Sequence, residues 1–310
     1  VTDAPFHCGY VALVGRPNAG KSTLLNRILG SKLAITSSKP QTTRDRIVGI
    51  HTDERMQAVL VDTPGLHRAW TELNRAMVRR TREVLEQVDV VCWLEDMSLV
   101  APRLKRGEPA LDAAADAISR LVADTSAPVV FVPNKLDIIE PQWVLPAIAA
   151  YGERVDLHSA VPTAALTGDG VGDLLGEIAG LLPEGPALYP EDTWTEASER
   201  FLAAEVIREK IFHLTEQEVP YATFVEITQF DESERDSRGL VKIYATVMVE
   251  RSQQKGILIG KGGEMLKRIG TLSRKDLVDL LGCRVYLELF VKVVPDWSKS
   301  EKGLRRVGFE

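Results

Sequence analysis

Cysteine is scarce: Cys8, Cys92 and Cys283 are the only three in 310 residues, and no two have the spacing of a metal-binding motif. That excludes a disulfide framework or a cysteine-built metal centre and points to a reducing compartment. No apolar run reaches the ~18 residues that a membrane-spanning helix needs. The residues ahead of Gly9 do not read as a signal peptide, so a cytoplasmic protein is expected. Internal repeats and low-complexity tracts are also missing, which argues against a solenoid or a disordered tail. What is there suits a soluble globular protein: 45% hydrophobic and 26% charged residues, in a length that fits about two domains.

The net charge of −6 is unevenly spread. Lys255 to Glu310 holds twelve basic and seven acidic residues, a net +5, so the remainder carries −11. A basic end on an acidic protein suggests a surface for nucleic acid or an acidic lipid headgroup, beside the plainer reading of a solvated face.

The first half alternates buried-looking strands (10–15, 57–62, 88–95 and 128–134) with helical patterns, and 46–52 adds another strand. Near-continuous apolar strands between helices indicate a mainly parallel α/β sheet covered on both faces. Prolines and acidic residues in 181–196 suggest a linker, and 98–110 reads as a surface excursion. Beyond lie a helix with apolar Phe201, Leu202, Val206, Ile207, Ile211 and Phe212, two strand-like runs, a glycine turn, a helix and a last strand. The expected division is 1–182, a linker at 183–195, and a smaller α+β domain at 196–310.

Gly15-Arg-Pro-Asn-Ala-Gly-Lys21-Ser22 follows a strand and opens a helix, the setting of a phosphate loop. Gly15, Ala19 and Gly20 let backbone N–H groups turn inward on phosphates. Lys21 can reach the β- and γ-phosphates, and Ser22 offers a hydroxyl to Mg²⁺; Thr23 is a packing residue or a further phosphate contact. A second strand ends in Asp62-Thr-Pro-Gly65, where Asp62 suits the outer sphere of that ion and the Gly65 amide the γ-phosphate. A third ends in Asn134-Lys135-Leu-Asp137. Asp137 can accept from guanine N1–H and the exocyclic amine, a donor pair that adenine lacks. Asn134 can meet the other purine edge, and the Lys135 stem can cover the ring. The ligand implied is GTP or GDP.

These three stretches resemble the translation-factor-related GTPases, with a Ras-like G domain, and 38–52 resembles the first switch of the Era-type GTPases. The resemblance implies that Thr43, or its neighbour Thr42, closes over Mg²⁺ and the γ-phosphate, and that Lys21, Thr43 and Gly65 carry catalysis. It also implies a fifth, base-contacting loop at Ala164-Ala165, where the family usually has Ser-Ala; Ser159-Ala160 is the alternative placement. Leu66 stands where many GTPases place a Gln and cannot orient water. Era-type enzymes share this departure, and the class often binds a monovalent cation such as K⁺, for which Asn18 would be the side-chain ligand. His67 is read as a mobile switch residue rather than a base.

In the second half, Gly260-Lys261-Gly262-Gly263 is a G-x-x-G turn of the kind that lets backbone approach a single strand in KH modules. Ile257, Leu258 and Ile259 could line a cleft for bases. Seven basic and three acidic residues from Lys255 to Arg284, Lys267 and Arg268 among them, favour RNA through counterion release. The order of elements resembles a type II KH domain, with 304–309 as its closing helix. The resemblance implies a GTPase switch, expected as a monomer, that binds the 3′ end of 16S ribosomal RNA during late 30S maturation, with loose attachment to the inner membrane. A P-loop metabolic kinase, an RNA-binding protein with a dead nucleotide site, and a sibling GTPase with another RNA target are the alternatives.

Overall fold

The computed structural model describes residues 5–36, 46–65, 72–299 and 303–304, apart from the side chains of 72–74. Thr42, Thr43, Leu66, His67 and most of the 304–309 stretch lie outside the described residues. The chain divides into two compact units, one of Val1–Trp70 with Asn74–Glu196, the other mainly of Ala197–Glu310.

In the first unit, β1 (His7–Gly15), α1 (Lys21–Leu29), β2 (Ile47–Thr52), β3 (Met56–Asp62) and α2 (Glu72–Leu85) come first. There follow β4 (Val90–Asp96), α3 (Met97–Lys105), α4 (Ala113–Ala123), β5 (Val129–Asn134), α5 (Val144–Gly152), β6 (Ser159–Ala160) and α6 (Val171–Leu181). The sheet order is β2-β3-β1-β4-β5-β6, parallel throughout except that β2 runs antiparallel to β3 at one edge. Every residue of β3, β4 and β5 is buried. Burial along whole strands, rather than at alternate residues, requires cover on both faces. Trp93, Phe131 and Tyr151 form the aromatic centre of that core, with ring centroids 4.6–5.5 Å apart.

Two sequence expectations change here. The 98–110 excursion is largely the helix α3: the Asp96 carboxylate accepts from Ser98 N at 3.0 Å as its N-cap, and Met97, Val100 and Ala101 are buried. Pro102 and the basic residues around it disguise the helix. The 183–195 linker is a strap on the first unit. Cys8 N donates to Pro183 O (2.9 Å), and Ile50 N donates to Trp194 O (2.9 Å). The fully buried Gln57 side chain accepts from Leu188 N and Tyr189 N and donates to Tyr189 O. Strap residues thus occupy backbone groups of the edge strand β2 that would otherwise be open to pairing.

The second unit contains α7 (Glu199–Leu214), β7 (Phe224–Asp231), α8 (Arg235–Arg238), β8 (Leu240–Val249), α9 (Ser252–Ile259), α10 (Glu264–Leu281) and β9 (Arg284–Val293). Its sheet has the order β7-β8-β9, with β7 antiparallel and β9 parallel to β8. Along β8 only Val241, Ile243, Ala245 and Val247 are buried over the first eight residues, the alternation of a sheet covered on one face. The helix α10 answers with Ile269, Ser273, Leu277 and Leu281, buried at four-residue intervals along one stripe.

Candidate nucleotide site and nucleic-acid surface

The parallel strands deliver the motifs to one edge of the sheet. β1 ends at Gly15, β3 at Asp62 and β5 at Asn134, so all three stretches meet beyond the carboxyl ends of adjacent or near-adjacent strands. Ligands of open α/β sheets bind there.

In the phosphate loop, Lys21 is only 5% exposed, and its Nζ donates to Gly15 O (3.3 Å) and Arg16 O (3.2 Å). Burial pulls its ammonium below the usual lysine pKa, and the charges of Asp62 and Glu95 oppose that shift. Ser22 Oγ donates to Asp62 Oδ2 at 2.7 Å. A hydroxyl and a buried carboxylate this close form an all-oxygen donor set, which fits a hard divalent cation such as Mg²⁺. Thr63 holds the end of β3 to β1 through Oγ1 to Leu13 O (2.8 Å). Gly65 is buried beside Pro17 of the loop. Asn18 has a positive φ of 64°, Ala19 is fully buried, and Thr23 lies partly exposed on α1.

Asn134, 1% exposed, joins three loops. Its Nδ2 donates to Ala19 O in the phosphate loop (2.8 Å), while its Oδ1 accepts from Ala165 N (2.9 Å) and Thr163 Oγ1 (3.2 Å). These bonds use one of its two amide protons. Gly20 sits directly against this brace: φ is 102°, and a Cβ would overlap the Asn134 amide nitrogen. Of the two placements for the fifth loop, the structure brings Ala164-Ala165 to Asn134; Ser159-Ala160 is β6, paired with Val130 and Phe131. The Ala164 and Ala165 amides are both bonded inside the protein, to Asp169 O and Asn134 Oδ1. Arg27 reaches from α1 to the carbonyls of Ala165 and Leu166. Asp137 is exposed on a single 3₁₀ turn, 136–138, and the Lys135 ammonium pairs with Asp96 Oδ2 at 2.6 Å. A recess of ≈ 340 Å³ opens beside this assembly, lined by Thr23, Asn26, Arg27, Thr36, Ala165 and Leu166.

Sequence reasoning passed over Arg16, Glu95 and Asp112. Arg16 Nε lies 2.7 Å from Glu95 Oε1, and the guanidinium forks onto both oxygens of Asp112 at 3.1 and 3.0 Å. Burial, opposed by Arg16, pushes the Glu95 carboxyl up to about 7. Burial and then the Glu95 charge push the Tyr151 phenol far above its usual value.

In the second unit, Gly260–Gly263 joins α9 to α10. Lys261, Lys267 and Arg268 are exposed, as is Ile257 at 49%, and Ile259 is partly buried. Leu258 departs from expectation: it is fully buried in the core, so it lines no cleft. Gly262 has φ 61°, and a Cβ there would meet nothing within 4 Å, so its backbone is open to approach.

Residues 10–135 match a family described as 50S ribosome-binding GTPase, and residues 218–298 match the KH domain. The GTPase Era proteins of Geobacter metallireducens and Geotalea uraniireducens are 48% and 46% identical to this chain, with 100% of both chains covered. Among solved structures, an Era variant from Aquifex aeolicus bound to GDP·AlF4⁻ is 36% identical, with a TM-score of 0.89. Era in complex with MgGDPNP and nucleotides 1506–1542 of 16S ribosomal RNA is 37% identical, also at 0.89. Each of these covers 98% of this chain and 99% of its own.

Proposed function

The chain belongs to the GTPase Era family, and from that premise we propose that it is a GTP-hydrolysing switch that binds the 3′ end of 16S ribosomal RNA and assists late maturation of the 30S subunit. The observation that carries this reading is the likeness, along 98% of the chain, to an Era solved with both MgGDPNP and a 16S rRNA segment.

Catalysis is positioning and charge stabilisation around water attack on the γ-phosphate. Lys21 and the phosphate-loop amides of Gly15 to Ser22 hold the phosphates, and the Gly65 amide meets the γ-phosphate. A bound Mg²⁺ would supply neutralisation of the phosphate charge. Ser22 and Thr43 would hold it directly, and Asp62 through water. Asn18 would hold a monovalent cation such as K⁺, which would supply the positive charge that an arginine finger gives elsewhere. Asp137 selects guanine through its paired donors, with Asn134, the Lys135 stem and the Ala164-Ala165 loop completing the base site. Leu66 has no side-chain carboxamide to orient a water, so intrinsic turnover is slow.

RNA lies on the turn Gly260–Gly263, with Lys261, Lys267 and Arg268 at phosphates and Ile257 and Ile259 against bases. The output of the cycle is the population of an RNA-competent state rather than a released product. A monomeric state, the 30S subunit as larger partner, and a cytoplasmic location with peripheral contact at the inner membrane complete the proposal.

The test is RNA affinity of the full chain for a 16S 3′-end oligonucleotide with a GTP analogue, with GDP and without nucleotide. The GTP-analogue state should bind about tenfold tighter, within the usual range of coupling between two sites. Equal affinity in the three states would overturn the switch.

A further inference from the structure

We propose that Arg16 is a positioning residue for the GTPase reaction, holding the phosphate loop in its binding shape through a clamp of two acidic side chains, Glu95 and Asp112. Two elements converge on it. Glu95, fully buried near the end of β4, takes the Nε side at 2.7 Å. Asp112, ahead of α4, takes the terminal nitrogens as a bidentate fork at 3.1 and 3.0 Å. The same Asp112 accepts from Ala114 N and Ala115 N, both at 2.9 Å, as the N-cap of α4. A helix end and a core strand therefore fix one guanidinium, itself only 8% exposed.

The backbone of that residue is part of the site. Arg16 O accepts from Ala19 N (3.3 Å), closing the turn of the loop, and from Lys21 Nζ (3.2 Å). Anchoring the side chain thus fixes the carbonyl that orients the phosphate-binding ammonium. The Asp112 carboxylate carries the opposite charge to the guanidinium and Glu95 closes on its Nε, so its role is geometric: it orders the loop before nucleotide arrives and spares that ordering cost on binding. A planar fork with delocalised charge suits this clamp, and lysine cannot reproduce it.

Such a residue contributes to ground and transition states alike, which predicts a change in KM with kcat kept. In steady-state GTP hydrolysis by the full chain, Arg16→Gln should raise KM about tenfold and leave kcat within about twofold. Arg16→Lys should recover part of the loss. A scaffold that only stabilises the fold would lower the active fraction, and so apparent kcat, at constant KM; that result overturns the proposal. So does Arg16→Gln with wild-type KM. Should Arg16→Gln fail to fold, Asp112→Asn decides. Its amide oxygen keeps the helix cap while the charged fork is lost. A KM raised several-fold supports the clamp, and an unchanged KM overturns it.

Discussion

The two glycine turns of this protein, Gly15–Ser22 and Gly260–Gly263, both offer backbone to phosphate, yet they are built in opposite ways. The first is braced from every side. Lys21 is buried, Arg16 is clamped, Asn134 grips Ala19 O, and a Cβ on Gly20 would strike that grip. The second stands open, with Lys261, Lys267 and Arg268 exposed and free space around Gly262. In the function proposed above, the contrast follows from what each turn would hold. Discrimination of one nucleotide and stabilisation of a transition state need preorganised donors in a water-poor setting. A single strand of RNA is held by phosphate charge and by bases lying flat, and backbone approach plus surface cations suffice.

Four measurements can break or sharpen that comparison. The largest effect should come from Lys21→Ala, which removes two or three charge-assisted bonds worth about 1.5–3 kcal/mol each and so weakens GDP and GTP roughly a thousandfold. Fluorescent-nucleotide titration would measure it. RNA affinity without nucleotide should stay within about twofold, because the proposed coupling between the two turns acts only through bound nucleotide. Next is Gly262→Asp, which adds a negative charge at a backbone held at φ 61°. RNA affinity should fall at least about tenfold with GDP affinity kept. A parallel fall in GDP binding would mean that the two turns are not independent.

The third concerns pH. The Glu95 carboxyl, pushed up by burial to about 7, holds in the folded state a proton that the unfolded chain releases near pH 4.5. Between those values the unfolded state binds fewer protons, so stability must fall as pH rises through the interval. Urea denaturation at about pH 5 and about pH 8 should show a loss of up to a few kcal/mol, and Glu95→Gln should abolish that slope. Equal slopes in both proteins would remove Glu95 as the cause. The smallest effect is expected from Lys267→Ala. It should reduce the salt dependence of RNA binding by about one phosphate contact, roughly 0.7 in the log–log slope, and leave GTP hydrolysis unchanged.

The parts of this molecule that could be read from sequence are those whose chemistry lies in consecutive residues. The strands ending in Gly15, Asp62 and Asn134 announce themselves as apolar runs, and each carries its motif at its end. The Gly260–Gly263 turn is equally local. Arg16 was not legible, because its partners Glu95 and Asp112 are 79 and 96 residues away and become neighbours only when β4 pairs with β1 and the start of α4 reaches the loop. The strap at 183–195 escaped for a similar reason: its composition is that of a linker, and its ties are to residues far back in the chain, such as the buried amide of Gln57, more than 130 residues earlier. Helix α2 escaped through its many arginines, which mute the apolar period in Glu72–Leu85.

Asn134 has one consequence for how such a site can change over generations. A single carboxamide serves the phosphate loop, the base-recognition stretch and the Ala164-Ala165 loop together. A replacement there suited to a different base would slacken the phosphate grip in the same step, so drift at this position is penalised twice. Asp137, exposed and with no hydrogen bond to the rest of the described residues, carries no such double duty. On the proposed base site, a substitution at Asp137 would therefore alter nucleotide preference while leaving the Asn134 brace of the phosphate loop intact.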